Sequence, residues 1–312
     1  MTRTPSGHII AVVGPTASGK STLGIELALS LDGEVINCDS VQVYREVEIA
    51  TAKVPFEARA GIPHHLMDFV SPSETYTAGN WADDALEKIR EIETRGRTPI
   101  IVGGTGFYLR ALRNPFFPSP PTDPKFRNRI TRLRDERGTE YVHRLLRKLD
   151  PGAAARLYPA DWPRVQRALE VRLQTGKPIS EQLTNRAIPP PEAKRIRVIA
   201  LNPPREELYR LINQRAQDHF DAGLVEEVRS LLNSGVPAGS NALGAHGYRR
   251  VVEYLQRKRS LQSAIEQTKQ DVRNYAKRQI TWFKREEGVE WFEGFGTDQT
   301  LRQCILDYLN IK

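Results

Sequence analysis

The 312 residues are 39% hydrophobic and 27% charged, enough to bury a sizeable core. At ~100–200 residues per domain, this length points to two domains or one domain with a large insertion. The net charge of +8 and a pI near 9.5 suit a polyanionic partner such as nucleic acid, but also suit a protein whose solvated faces favour arginine. The two cysteines, Cys38 and Cys304, are far apart and lack CxxC spacing, which argues against a disulfide framework or a zinc site and for a reducing compartment.

From the N-terminus, His8 to Val13 is a β-branched run stopping at Gly14, too short for a signal segment or a membrane span. A cytoplasmic protein is therefore expected. Ser21 to Ser30 carries Leu23, Leu27 and Leu29 at helical spacing, so the chain opens as strand, glycine loop and helix. Further strands are predicted at 34–38 and 98–102, with an amphipathic helix at 81–93 between them. These strands end in polar or glycine-rich loops: Asp39 and Ser40 after the second, Gly103 to Gly106 after the third. Ligands of open α/β sheets sit at the carboxyl ends of strands, so the loops are expected to converge.

Prolines at 115, 118, 120, 121 and 124 mark a boundary. A helical, arginine-rich stretch follows, from Lys125 to about Gln182, and Pro189 to Pro191 close it. Arg195 to Leu201 reads as a returning strand. The last hundred residues read as helical, through 206–233 and 261–284, and Ala245 to Arg249 as a turn. The expected fold is α/β, a P-loop NTPase-like parallel sheet core (1–114 and 198–312) with a helical insertion domain (115–197).

Gly14 to Ser21 fits the pattern GxxxxGK followed by Ser or Thr at every fixed position. In such a loop Gly14, Thr16, Ala17, Ser18 and Gly19 offer backbone N–H groups to an anion, Lys20 adds a charge, and the Ser21 hydroxyl can ligate Mg²⁺. The motif alone does not identify the anion. ATP is the default, with nucleotide binding and phosphoryl transfer, but any diphosphate, including a leaving group, fits the same cradle. Asp39 reads either as a metal ligand or general base, or as a turn cap. Lys53 reads as a second site lysine or a solvated one, and His64-His65 as a weak metal candidate. Near the C-terminus, Lys269, Arg273, Lys277, Arg278, Lys284 and Arg285 alternate with Tyr275, Trp282 and Phe283. Such a face can follow a phosphate backbone or simply cover a core.

Taken together, GPTASGKS (14–21), DSVQVY (39–44), TAK (51–53), PHHLMD (63–68), VGGTGFY (102–108), RVQRALEV (164–171), AGLVEEV (222–228), GYR (247–249) and KRQITWFK (277–284) resemble the bacterial tRNA dimethylallyltransferases, or tRNA isopentenyltransferases. Order and spacing match over nearly the whole chain. The resemblance implies transfer of a dimethylallyl group from dimethylallyl diphosphate to N6 of adenosine 37, beside the anticodon, with Mg²⁺ as cofactor. It implies Asp39 as general base, with Thr105 and Arg215 at the diphosphate. It also implies tRNA contacts at Asp39, Ser40, Val41 and Gln42, at Arg164 and Arg167, at Gly247, Tyr248 and Arg249, and at Lys277, Arg278, Gln279 and Trp282. The insertion would grip the anticodon stem of a tRNA bound by a monomer. Departures are Ser21 for a common Thr, Ala50 for a usual Gly, and His246 for a usual apolar residue; the eukaryotic C-terminal zinc-finger extension is not expected. The alternatives are an adenylate isopentenyltransferase acting on free nucleotide, a P-loop small-molecule kinase, and a non-catalytic RNA-binding protein.

Overall fold

A computed structural model describes residues 7–116, 120–182 and 188–309. The chain divides into two compact units, one of Met1–Arg113 with Pro190–Lys312 and one of Asn114–Pro189.

The first unit opens with β1 (Ile9–Val13), α1 (Lys20–Leu31), β2 (Gly33–Asn37), the two-residue β3 (His64–His65), α2 (Ala78–Thr94), β4 (Thr98–Val102) and α3 (Gly106–Arg113). The second unit is helical: α4 (Pro124–Arg137), α5 (Thr139–Leu149), α6 (Pro151–Ala154), α7 (Trp162–Thr175) and α8 (Ile179–Gln182). Its core packs Ile130, Val142, Leu146, Val165 and Leu169, and the buried Glu170 accepts from the Asp123 N–H and pairs with Arg167 at 3.0 Å. The first unit then resumes with β5 (Ile196–Asn202), α9 (Arg205–Asp221), α10 (Leu224–Asn233), α11 (Tyr248–Leu255), α12 (Leu261–Phe283), β6 (Val289–Glu293) and α13 (Gln299–Tyr308).

The six strands form a parallel sheet in the order β3-β2-β4-β1-β5-β6. Side chains alternate across each strand, so Ile9, Ala11 and Val13 meet Trp81, Ile89 and Leu112 on one face. Ile10 and Val12 meet Leu23, Leu27 and Ile305 on the other. With both faces covered, β1, β2 and β4 are wholly buried; β1 is apolar throughout, while β2 also buries Glu34 and Asn37 and β4 buries Thr98. A third cluster packs α10, α11 and the start of α12 against Val43, Tyr44, Val47 and Val70, on the connection that follows β2.

Three expectations are corrected. Residues 190–197 belong to the sheet unit, because β5 begins at Ile196, paired with Ile9. The helical reading of the last hundred residues missed β6, a short edge strand beside β5. Tyr248 opens a helix rather than sitting in a turn. His64 and His65 form an edge strand: His65 Nε2 lies 2.6 Å from Glu34, which Arg95 and Arg97 also hold. Burial alone would raise the Glu34 carboxyl, but the hydrogen bonds and charges of Arg95 and His65 together hold it down to about 2.

Candidate active site

Three consecutive strands, β2, β4 and β1, deliver their carboxyl-end loops side by side. At Gly14, φ is 141°, and a Cβ there would stand 2.9 Å from the Leu201 carbonyl, so glycine is needed where the loop turns against β5. Gly19, at φ 83°, caps α1 and closes on Gly296 and Thr297. Ala17 is also left-handed, at φ 63°, a strained residue between the two glycines. Lys20 folds back and donates to the Pro15 carbonyl at 2.5 Å. Burial pushes its ammonium down to about 8; the charge of Asp39 works against that shift and the charge of Arg215 adds to it. The three charges thus share one neighbourhood, although Arg215 lies on α9. Burial also lowers the Arg215 pKa. Two desolvated cations facing one carboxylate leave net positive charge for an anion.

The Asp39 loop is fixed from behind. Cys38 N–H donates to the Val102 carbonyl at 2.8 Å, Trp81 Nε1 donates to Asn37 O at 2.8 Å, and the Trp81 ring stacks on Tyr108. Asp39 Oδ1 accepts from the Val41 and Gln42 N–H groups at 2.8 and 3.3 Å. The carboxylate therefore caps its own turn and also lines a cavity. Ser40 N–H donates to Thr105 Oγ1 at 3.1 Å, and the two side-chain hydroxyls lie 3.5 Å apart.

That cavity is about 550 Å³, the size of a small-molecule site. Thr16, Asp39, Ser40 and Arg215 form its polar side; Ala17, Ile212, Ala216, Val272, Tyr108 and Tyr275 are among its apolar and aromatic walls. His219 and His246, also in the wall, are both pushed down to about 4 by burial, with Arg215 and Arg278 respectively adding to the effect, so both are neutral at pH 7. Burial raises the Tyr108 and Tyr275 hydroxyls, keeping them protonated donors.

Residues 42–286 match the model of the IPP transferase family. The chain belongs to that family. A tRNA dimethylallyltransferase of Solibacter usitatus is 44% identical over 299 residues, covering 96% of this chain and 97% of that protein. One of Geobacillus kaustophilus is 43% identical over 290 residues, covering 91% and 90%. A tRNA isopentenylpyrophosphate transferase structure from Bacillus halodurans superposes with a TM-score of 0.72 at 36% identity, covering 98% of this chain and 96% of that one. A eukaryotic dimethylallyltransferase acting on tRNA superposes with a TM-score of 0.77 at 29% identity, covering 97% and 80%.

Several residues singled out from the sequence hold structure together with their side chains. Gln42 Nε2 donates to Thr51 O at 2.9 Å. Lys53 is neither solvated nor at the cation cluster: its side chain is buried, bonded to Tyr44 O at 2.7 Å and paired with Glu48 and Asp68. Tyr248 is fully buried, donating to Glu227 at 2.6 Å and accepting from the Ala50 N–H at 3.2 Å. Gly247, at φ 90°, lets α11 start against Leu224. Gln279 is buried between the P-loop and Gly104.

Other residues remain at the surface. Lys277 and Arg278 are exposed on α12, and Arg249 is half-exposed beside Asp271. Trp282 is half-buried, with the Arg110 guanidinium 4.0 Å over its ring and Phe107 edge-on. In the second unit Arg164 is exposed beside Asp161, and Arg167 donates to Pro120 O at 2.6 Å. The cavity residues that sequence reasoning did not single out include Tyr76, His219, Ser240 and Asn241. Spacing could have found His219, one helical turn after Arg215. Ser240 and Asn241 lie on a loop with no periodic signal.

Proposed function

We propose that this protein transfers a dimethylallyl group from dimethylallyl diphosphate to N6 of adenosine 37 in tRNA, releasing diphosphate. The observation that carries this reading is the meeting of Lys20, Arg215 and Asp39 beside a cavity with apolar walls. N6 is a weak nucleophile, its lone pair being delocalised into the purine. As N6 bonds to C1 of the allyl group, the C1–O bond breaks and both its electrons leave with the diphosphate. Lys20, Arg215 and the P-loop amides other than that of Thr16, which donates to Gln279, meet that growing charge, and Asp39 takes the N6 proton. Thr105, bonded to Ser40, steadies the carboxylate loop. The isoprenoid tail suits the wall made by Ile212, Ala216 and Val272.

Among the described residues no group of three or more His, Cys, Asp or Glu could hold a metal ion. The donors present suit Mg²⁺ held through the Ser21 hydroxyl and diphosphate oxygens, since this ion favours few protein ligands and keeps its waters. The loop also carries a buried Ser18 hydroxyl with no hydrogen-bond partner, so its polar capacity is not spent internally. When bound, the ion would neutralise leaving-group charge.

The target base must leave its stack, at about a few kcal/mol, which backbone contacts can offset. Asp39 to Gln42, Arg249, Lys277, Arg278 and Trp282 are the proposed contacts in the first unit; Tyr248 and Gln279, buried and bonded within the protein, are not among them. In the second they are Arg164 and Arg167, supported by the exposed Arg129, Arg132, Arg144 and Arg147, whose charge suits an anticodon stem. On this reading the enzyme works as a cytoplasmic monomer; no helix among the described residues is long and apolar enough to cross a membrane. The test is incubation with Mg²⁺, labelled dimethylallyl diphosphate and either unmodified tRNA or AMP, with an ATP-turnover control. Label is expected on tRNA. Label on AMP alone, or turnover of ATP alone, overturns the reading.

A further inference from the structure

One stripe of α12 runs along the site. Thr268, Val272 and Tyr275 line the cavity, Gln279 follows one turn later, and Trp282 lies where a Cβ on Gly106 would be. Steps of three or four residues put these positions on one helical face. Gln279 is only 4% exposed, and both ends of its amide are engaged. Oε1 accepts the Thr16 N–H at 2.8 Å, and Nε2 donates to the Gly104 carbonyl at 3.0 Å. These two backbone groups belong to the loops after β1 and β4, neighbours in the sheet. Thr16 offers only a donor and Gly104 only an acceptor, so a single orientation of the amide satisfies both. A Cβ at position 104 would collide with the Gln279 amide nitrogen, so glycine there makes room for this side chain.

Resting on the reading of the P-loop as a diphosphate cradle, we infer that Gln279 is a positioning residue that holds the loop in its anion-binding shape. Oriented amides stabilise charge well only when their directions are set before the charge arrives. Thr16 enters the turn immediately before the left-handed Ala17, and Gln279 anchors that entry from the side. Without the anchor the turn must be ordered as the anion binds, and the cost falls on diphosphate affinity. The neighbouring Lys277 and Arg278 are exposed and keep their positions, so tRNA affinity is spared.

Two variants separate this role from packing. Gln279→Glu keeps the length and the acceptor for Thr16 but turns an oxygen toward the Gly104 carbonyl and adds negative charge. Gln279→Met keeps the length without either bond. The full chain is titrated calorimetrically with inorganic diphosphate and Mg²⁺, its tRNA affinity is measured by filter binding, and its melting is followed. Both variants are expected to melt within about 5 °C of the unsubstituted chain and to bind tRNA equally well. Diphosphate should bind at least about tenfold more weakly, most weakly to the glutamate variant. Unchanged diphosphate affinity in either folded variant overturns the assignment, as does a loss confined to tRNA. Failure of both variants to fold makes Gln279 a packing residue and also overturns it. If the unsubstituted chain does not bind diphosphate, the cradle reading falls and takes this assignment with it, an outcome distinct from equal binding by chain and variant.

Discussion

The backbone N–H of Ser40 meets the Thr105 hydroxyl oxygen at 3.1 Å, tying together two loops whose residues are 65 positions apart. Thr105 thereby braces the carboxylate loop against the loop after β4. Thr105→Val keeps the shape but leaves a part-buried N–H unpaired, at about 1–3 kcal/mol. Prenyl transfer should slow about tenfold or more, while Thr105→Ser retains most of the rate. Single-turnover kinetics with saturating substrates check this, and equal rates for the valine variant would remove the brace.

Asp39 both caps its turn and is the proposed base, and a substitution to asparagine separates the two roles. The amide keeps an oxygen for the Val41 and Gln42 N–H groups, so the loop holds. Asp39→Asn should therefore bind tRNA normally while turnover falls by about 10²–10⁴-fold. Parallel filter-binding and turnover assays decide; an unchanged rate means that the proton goes elsewhere.

Lys20, buried and lowered to about 8, gives diphosphate affinity a pH dependence. The anion needs the ammonium form, which predominates below that value and is depleted as pH rises through it. Affinity should therefore be full below about pH 8 and decline above it. Lys20→Ala should bind more weakly and lack this component of the pH profile. Calorimetric titration of both proteins from about pH 6.5 to about pH 9.5 isolates the component by difference, whatever the titration of the ligand itself; parallel profiles would exclude Lys20.

Lys277 is exposed on α12, and its removal leaves no buried group unpaired. Lys277→Ala should change stability by no more than about 0.5 kcal/mol. It should weaken tRNA binding and reduce the slope of log affinity against log salt by about 1. Filter binding across a salt series measures both, and an unaltered slope would place the RNA backbone away from this helix.

The sequence by itself determined the sheet strands β1, β2, β4 and β5 and the glycine loop after β1. Apolar runs, helical spacing and glycines at left-handed turns are local constraints, legible without neighbours. It also singled out Asp39 at the end of a buried strand, while leaving open whether the carboxylate does chemistry or caps its own turn. Which site-flanking polar side chains face a ligand and which hold the frame was decided by tertiary structure alone. Gln279 bonds to a backbone group 263 positions away, and Tyr248 to one 198 away. Lys53 disappears beneath Asp68, and the short edge strands β3 and β6 exist only because β2 and β5 offer them partners. A polar side chain has the same sequence signature in both roles. The difference lies in whether an unpaired N–H or carbonyl waits nearby, and only the folded chain supplies that partner.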